Sequence, residues 1–231
     1  MDLHTWHKES EKKWDDFASK WVENSQEMWE TGSRKNIIPF FYQYVPTGSK
    51  VADIGCGDGV GSLKLAEAGY EVTGIDLSNV MIEFAMEKTV HQPKLSFIQG
   101  DFYRLPFKDE EMDAALVINS LEYTGEPLTV VKEIHRIIKP GGYACFGILG
   151  PTAEPRKKFS FQRLLGDKVI MNTMQPWEFE KIAVESGWKA VADTGVAKRG
   201  VDFTKLGHFS KDLKQAVSFM WLFLLQKEGN Q

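Results

Sequence analysis

The chain has 231 residues, 42% hydrophobic and 26% charged, with a formal net charge of −4. That is enough for one sizeable core with an appendage, and the mild negative charge gives no electrostatic reason to expect nucleic-acid binding. No run approaches the roughly 18 apolar residues of a membrane span, the amino terminus lacks the basic start and apolar stretch of a secretory signal, and two cysteines, Cys56 and Cys145, make no disulfide framework, so a cytoplasmic location is expected.

Residues 1–30 are polar but carry Trp6, Trp14, Trp21 and Trp29. Trp14, Phe17, Trp21 and Met28 fall 3, 4 and 7 apart and so share one face of a helix. The stripe predicts a helix packed on the domain, part of which could close a ligand cleft against water. After a break at Thr31-Gly32-Ser33, a second helix is expected over 34–44. Together these form an N-terminal helical cap over 1–46, with the main domain at 47–231.

Between about 50 and 150 strands and helices alternate at short intervals. Strands are expected over 50–54, 71–75, 95–99, 114–118 and 143–149, and helices over 62–68, 80–88 and 127–138. This alternation predicts an α/β fold, a parallel sheet with helices on both faces. The run 114–118 is unbroken apolar, as in buried parallel strands. Beyond it, a helix starts at Pro176, well placed for a first turn, and stops at Gly187. Two more strands are expected over 189–197 and 217–226. The long connections 150–173 and 200–212 are candidate substrate-side segments, because long loops inside a compact domain are usually functional or mobile.

The densest chemical signal is Val51 to Gly61, V-A-D-I-G-C-G-D-G-V-G, with Asp76 closing the next strand 21 positions after Gly55. Glycines let backbone turn sharply and lie against a ligand. A carboxylate at the end of the next strand can accept hydrogen bonds from both hydroxyls of a ribose. A P-loop would need Gly-Lys-Ser/Thr, which does not occur, and the sixth position from Gly55 is Val60 where a dinucleotide fingerprint carries glycine. Asp53 stands inside the first strand, in a D-x-G-x-G-x-G arrangement. Gln99-Gly100-Asp101-Phe102 ends the third strand, offering a carboxylate to an adenine amine and, with Leu77, two faces to its ring. Asn119-Ser120-Leu121-Glu122-Tyr123 ends the fourth strand, and Lys139-Pro140-Gly141-Gly142 follows its helix.

This ordered set closely resembles the class I S-adenosylmethionine-dependent methyltransferases, particularly the ubiquinone/menaquinone-type branch acting on small molecules. The resemblance is strong over about 50–150 and holds in outline beyond. It implies a Rossmann-like, mostly parallel seven-stranded sheet of order 3-2-1-4-5-7-6, its last inserted strand antiparallel, and S-adenosyl-L-methionine as cofactor. On this pattern Asp53, Gly55, Cys56, Gly57 and Gly59 would line the methionine half of the cofactor. Asp76 would hold the ribose, with Leu77 and Met81 against the adenine. Gly100, Asp101 and Phe102 would address the adenine edge and face, and Asn119, Ser120 and Leu121 the floor near the sulfonium. Each has a plainer alternative: a tight turn for the glycines, a helix N-cap for Asp101, satisfied strand ends for Asn119 and Ser120. Arg34 could pair with the cofactor's carboxylate or be a solvated helix residue.

The expected activity is methyl transfer to a small-molecule acceptor by in-line displacement. The alternatives are a nicotinamide-dependent oxidoreductase and a non-catalytic cofactor-binding protein. No metal is expected, since the five histidines show no ligand-like spacing. A general base is needed only if the acceptor must lose a proton; Glu122, Tyr123 and His208 are the candidates. The tetrapeptide marking many amino-directed methyltransferases of DNA and protein is absent. The basic run Arg156-Lys157-Lys158, with Arg163 and Lys168, could favour an acidic substrate or be a solvated face. Phe159, Phe161, Trp177 and Phe203 could instead form an apolar acceptor pocket.

Overall fold

The run Val51 to Ile54, apolar but for Asp53, is buried on both faces, which fits the middle of a sheet. In the computed structural model, which describes residues 2–229, this strand, β1 (Lys50–Ile54), lies between β2 (Glu71–Asp76) and β4 (Met112–Ile118), parallel to both. β3 (Leu95–Gln99) continues the sheet beyond β2, and β5 (Ile138–Leu149) beyond β4. β7 (Ser218–Lys227) runs antiparallel to β5, and β6 (Trp188–Ala197) pairs only with β7, giving the expected order 3-2-1-4-5-7-6. The inversion of the last two strands follows from composition. Met220 to Leu225 is a continuous buried apolar run that needs neighbours on both sides, while β6 is largely exposed and suits an edge.

Helices cover both faces. Against one face, Ile37, Phe40 and Phe41 of α2 (Ile37–Tyr42) join residues of α3 (Val60–Glu67) and α4 (Asn79–Met86). Against the other, α5 (Pro127–Ile137) and α7 (Pro176–Glu185) contribute Val130, Val131, Ile134 and Phe179. α1 (Leu3–Glu30) is different. It buries small residues, Ser10, Ala18 and Ser25, together with Trp29, so it approaches closely across the carboxyl ends of the strands. Its aromatic stripe Trp14-Phe17-Trp21 is therefore not the packing face but the wall of two cavities.

Several boundaries differ from expectation. Arg34 precedes α2, which begins only at Ile37, so Arg34 is a buried turn residue rather than a helical one. α3 starts at Val60 because Gly59, at φ +79°, caps it directly from the loop. β5 begins at Ile138, before Lys139-Pro140-Gly141-Gly142. Pro140 lacks an N–H and Gly141 has φ +79°, and this stretch is absorbed as an irregularity where the register shifts between Met112 and Ala114. The connection 150–173 contains α6 (Glu154–Leu164), and 200–212 leads into α8 (Lys211–Ala216). Among the described residues no helix is long and apolar enough to cross a membrane.

Candidate active site

The strand order reverses between β1 and β4, and in an open α/β sheet that is where a crevice opens at the carboxyl ends. The glycine loop forms its floor. Gly55 has φ +79°, and a Cβ there would stand 2.3 Å from the Ser120 Cβ, so only glycine lets the loop pass against the end of β4. Ser120 closes the same junction, its Oγ donating to the Ile54 carbonyl at 2.8 Å. Gly59, also at φ +79°, would drive a Cβ to 2.6 Å from Phe97.

Asp76 ends β2 at the centre of this floor. Its Oδ2 accepts the Gly57 N–H at 2.9 Å and its Oδ1 the Ser78 N–H at 3.0 Å. Burial pushes its carboxyl up to about 6, against the three backbone hydrogen bonds that favour the charged form. Asp53 lies one layer below, 4% exposed, accepting from Ser62 Oγ at 2.6 Å, and burial pushes it up to about 7.

α1 roofs the crevice, and a row of contacts sets its position. Trp6 Nε1 donates to the Tyr123 carbonyl at 2.8 Å, and His7 Nδ1 lies 3.4 Å from Asp101 Oδ2. Asp15 accepts from Ser78 Oγ at 2.5 Å. Further along, Asp58 Oδ1 accepts from Ser25 Oγ at 2.7 Å and from Trp21 Nε1 at 3.2 Å. The roof and floor together bound about 710 Å³ of empty space, open mouth included.

Of the residues expected at the cofactor site, Arg34, Gly55, Gly57, Asp76, Leu77, Met81, Asp101, Phe102, Asn119 and Ser120 line this cleft together. Asp53, Cys56, Gly59, Gly100 and Leu121 are not among the residues that line it. Leu121 is a correction to the expected floor, since its side chain is 1% exposed and belongs to the core. The candidate bases are corrected too. Glu122 is fully buried away from the cleft, its Oε1 accepting the Leu149 N–H at 2.6 Å and lying 3.9 Å from Arg156. Tyr123 does line the cleft, but burial and the neighbouring Glu122 push its phenol further up, so it holds its proton. His208 is exposed in a loop remote from the lining. Of the aromatic residues expected around an acceptor, Phe159 lines the adjoining cavity, whereas Phe203 packs on Trp221.

Trp6, His7, Ser10 and Asp58 were missed. Spacing held a signal for the roof, since Trp6, Ser10, Trp14 and Trp21 fall 4, 4 and 7 apart on one helix face. Nothing local marks Asp58 as the anchor of a helix 33 residues away.

Three observations test the cleft against the cofactor. First, Arg34 is 6% exposed and among the described residues meets no carboxylate within 4 Å; its Nη1 reaches only Met28 Sδ at 2.9 Å and its plane faces Trp21 at 4.9 Å. Burial lowers it to about 10, so it stays charged and unpaired at neutral pH. Such a buried cation is costly unless an anion meets it. Second, His7 Nε2, Ser10 Oγ and Asn119 Oδ1 are buried on the cleft wall with no partner in the protein. Third, Asn119 holds φ +52°, a strained backbone for a side chain at a strand end and common at functional sites. A zwitterionic amino-acid end, ribose hydroxyls and a polar base edge fit this donor and acceptor set.

The raised carboxyls predict a pH dependence. Both Asp53 and Asp76 have folded values above their ordinary 3.8. Between about pH 4 and 7 the ligand-free fold therefore binds more protons than the unfolded chain, and stability falls as pH rises through that window. Thermal melting should show the decline, and Asp53→Asn should flatten it. If Asp76 holds the cofactor's ribose as the resemblance implies, affinity should run the other way, since an ionised carboxylate accepts best from hydroxyls: calorimetric affinity for S-adenosylhomocysteine is then expected to weaken below about pH 6.

Residues 52–146 match the family model described as a methyltransferase domain. Over 216 residues the chain is 30% identical to the sterol methyltransferase-like 3 of Botryococcus braunii, covering 86% of this chain and 52% of that protein. Over 155 residues it is 30% identical to the demethylmenaquinone methyltransferase of Staphylococcus haemolyticus (strain JCSC1435), covering 63% and 64%. The chain thus spans less than two thirds of either relative's length. The solved structure of an S-adenosylmethionine-dependent methyltransferase from Methanosarcina mazei has the same fold, with a TM-score of 0.65, 21% identity, and 83% and 98% of the two chains covered. The domain match, the strand order and the glycine-loop cleft agree in what they resemble: a methyltransferase domain over residues 52–146 on the fold of that solved structure.

Proposed function

We propose that the protein is a methyltransferase that uses S-adenosylmethionine to methylate a small-molecule acceptor. The observation that carries this reading is the roofed cleft in which the Asp76 carboxylate and the unpaired Arg34 guanidinium stand among the same lining residues. When bound, the cofactor supplies a methyl group on a sulfonium, which leaves readily upon attack from the opposite side.

In this assignment Arg34 holds the carboxylate of the amino-acid end, and Asp76 accepts from the ribose. Asp101, Leu77 and Phe102 address the adenine, while the Gly55–Gly57 backbone lies against the cofactor where a side chain would collide. α1 excludes water. Its Trp14 and Trp21 stand edge to face, with ring centroids 5.8 Å apart, and Trp14 meets Tyr123 at 4.9 Å. Alignment and water exclusion of this kind can supply about 7–11 kcal/mol of a displacement barrier. With Glu122 and His208 away from the cleft and Tyr123 holding its proton, these side chains offer no base, which suits an acceptor whose attacking atom is already nucleophilic or acidic. The relatives named sterol methyltransferase-like and demethylmenaquinone methyltransferase support a small-molecule acceptor rather than nucleic acid. Two free cysteines suit a reducing compartment, and we assign the reaction to the cytoplasm.

Thermal-shift titration tests the cofactor: S-adenosylhomocysteine should raise the melting temperature and NAD should not. Stabilisation by NAD alone would overturn the reading. An acceptor screen that reads S-adenosylhomocysteine release then separates an enzyme from a binding protein.

A further inference from the structure

Beside the cofactor cleft lies a second cavity, with about 1,090 Å³ of empty space including its open mouth. Trp14, Trp21 and Tyr123 line both spaces, so the two adjoin along these rings. Phe17, Met28 and Phe159 extend its apolar wall. Phe17 is 40% exposed there, apolar surface that an apolar ligand would cover.

The rim carries a different chemistry. Lys13, Lys20 and Lys158 line it, against the single carboxylate of Glu154, which faces Lys157 at 3.5 Å. The Lys13 ammonium stands 4.3 Å from the centre of the Phe159 ring. Burial and repulsion from Lys158 both lower its pKa, outweighing the opposing pull of Glu9. Among the described residues no carboxylate oxygen comes within 4 Å of the ammonium groups of Lys13, Lys20 or Lys158. The chain gathers like charges at the edge of an aromatic wall, and among the described residues none of the three is in an ion pair.

We propose that this chamber binds the methyl acceptor, and that the acceptor is a flat apolar molecule bearing an anionic group. Its ring lies against Trp14, Phe17 and Phe159, and its anion meets Lys13 and Lys158. The proposal rests on the reading of the neighbouring cleft as the cofactor site. It also joins two features left apart in the sequence: of the basic run, Lys158 faces the chamber, while Arg156 is buried beside Glu122.

The test uses two fluorophores with one aromatic body. 1-Anilinonaphthalene-8-sulfonate carries an anion; N-phenyl-1-naphthylamine does not. With the full chain and saturating S-adenosylhomocysteine, the sulfonate should bind about tenfold more tightly than the neutral probe. The double variant Lys13→Met/Lys158→Met should lose about tenfold in sulfonate affinity and leave the neutral probe within about twofold. Lys157→Met, which removes one charge from the helix that carries Lys158, should alter neither, and near-UV circular dichroism confirms that each variant is folded. Equal binding of the two probes by the unmodified protein would overturn the proposal, as would equal losses in the double variant and in Lys157→Met. A protein that S-adenosylhomocysteine stabilises but that ignores the sulfonate retains the cofactor assignment and loses this one. A protein that selects the sulfonate through Lys13 and Lys158 without responding to S-adenosylhomocysteine keeps an anion-binding chamber but loses the cofactor assignment, and with it the acceptor role.

Discussion

Asp76→Ala is expected to weaken S-adenosylhomocysteine binding by about a hundredfold, or about 3 kcal/mol. Two losses combine. On the proposed assignment the carboxylate accepts from the ribose hydroxyls, and hydrogen bonds to a charged acceptor contribute about 1.5–3 kcal/mol. It also accepts the Gly57 N–H at 2.9 Å, so its removal frees the glycine loop that forms the floor. Isothermal titration calorimetry measures the affinity, and urea denaturation of the ligand-free protein separates the two effects. Ligand-free stability should fall far less than affinity, because burial already holds the carboxyl at about 6 and opposes its charged form. Undiminished affinity in a folded Asp76→Ala protein would remove the ribose assignment.

Gly55→Ala acts on the scaffold instead. The new Cβ would meet Ser120 Cβ at 2.3 Å on a backbone with φ +79°. The left-handed backbone costs an alanine about 1 kcal/mol, and overpacking adds about 1–3 more. A stability loss of about 3 kcal/mol is therefore expected in urea denaturation, with cofactor binding lost in whatever folds. Ser120→Gly in the same chain should recover part of both, since it removes the atom struck while leaving the backbone strain. A Gly55→Ala protein with unaltered stability would mean that the junction between β1 and β4 is looser than its packing indicates.

The parts of the site legible in the sequence are those made by short segments. Gly55, Gly57 and Asp76 sit at strand ends whose apolar runs announce themselves, and the turn between strand and helix fixes how far apart they fall. The expected sheet order also held, because Met220 to Leu225 is too apolar for an edge and the segment 188–197 too polar for the interior. Arg34 was legible as a charge but not as a buried one. Its burial comes from Trp21 and Trp29 closing over it, and from the turn that removes it from α2. Glu122 misled for a related reason. It follows the fourth strand, where an acceptor-facing group is expected, yet the short helical turn 121–123 directs it inward to the Leu149 N–H.

The sequence by itself determined the α/β layout and where the glycine loop and the strand-end carboxylate stand in it, since each is set by neighbours along the chain. Tertiary structure decided the enclosure. The tryptophan stripe of α1 suggested both a packing face and a lid, and periodicity cannot choose between them, because it records which residues share a face and not what that face meets. Asp15 bound to Ser78, and Ser25 and Trp21 bound to Asp58, settle the rotation of the helix. They turn small residues to the domain and aromatic ones to the two cavities. Those contacts join residues 33 to 63 positions apart, a separation across which no local pattern carries information.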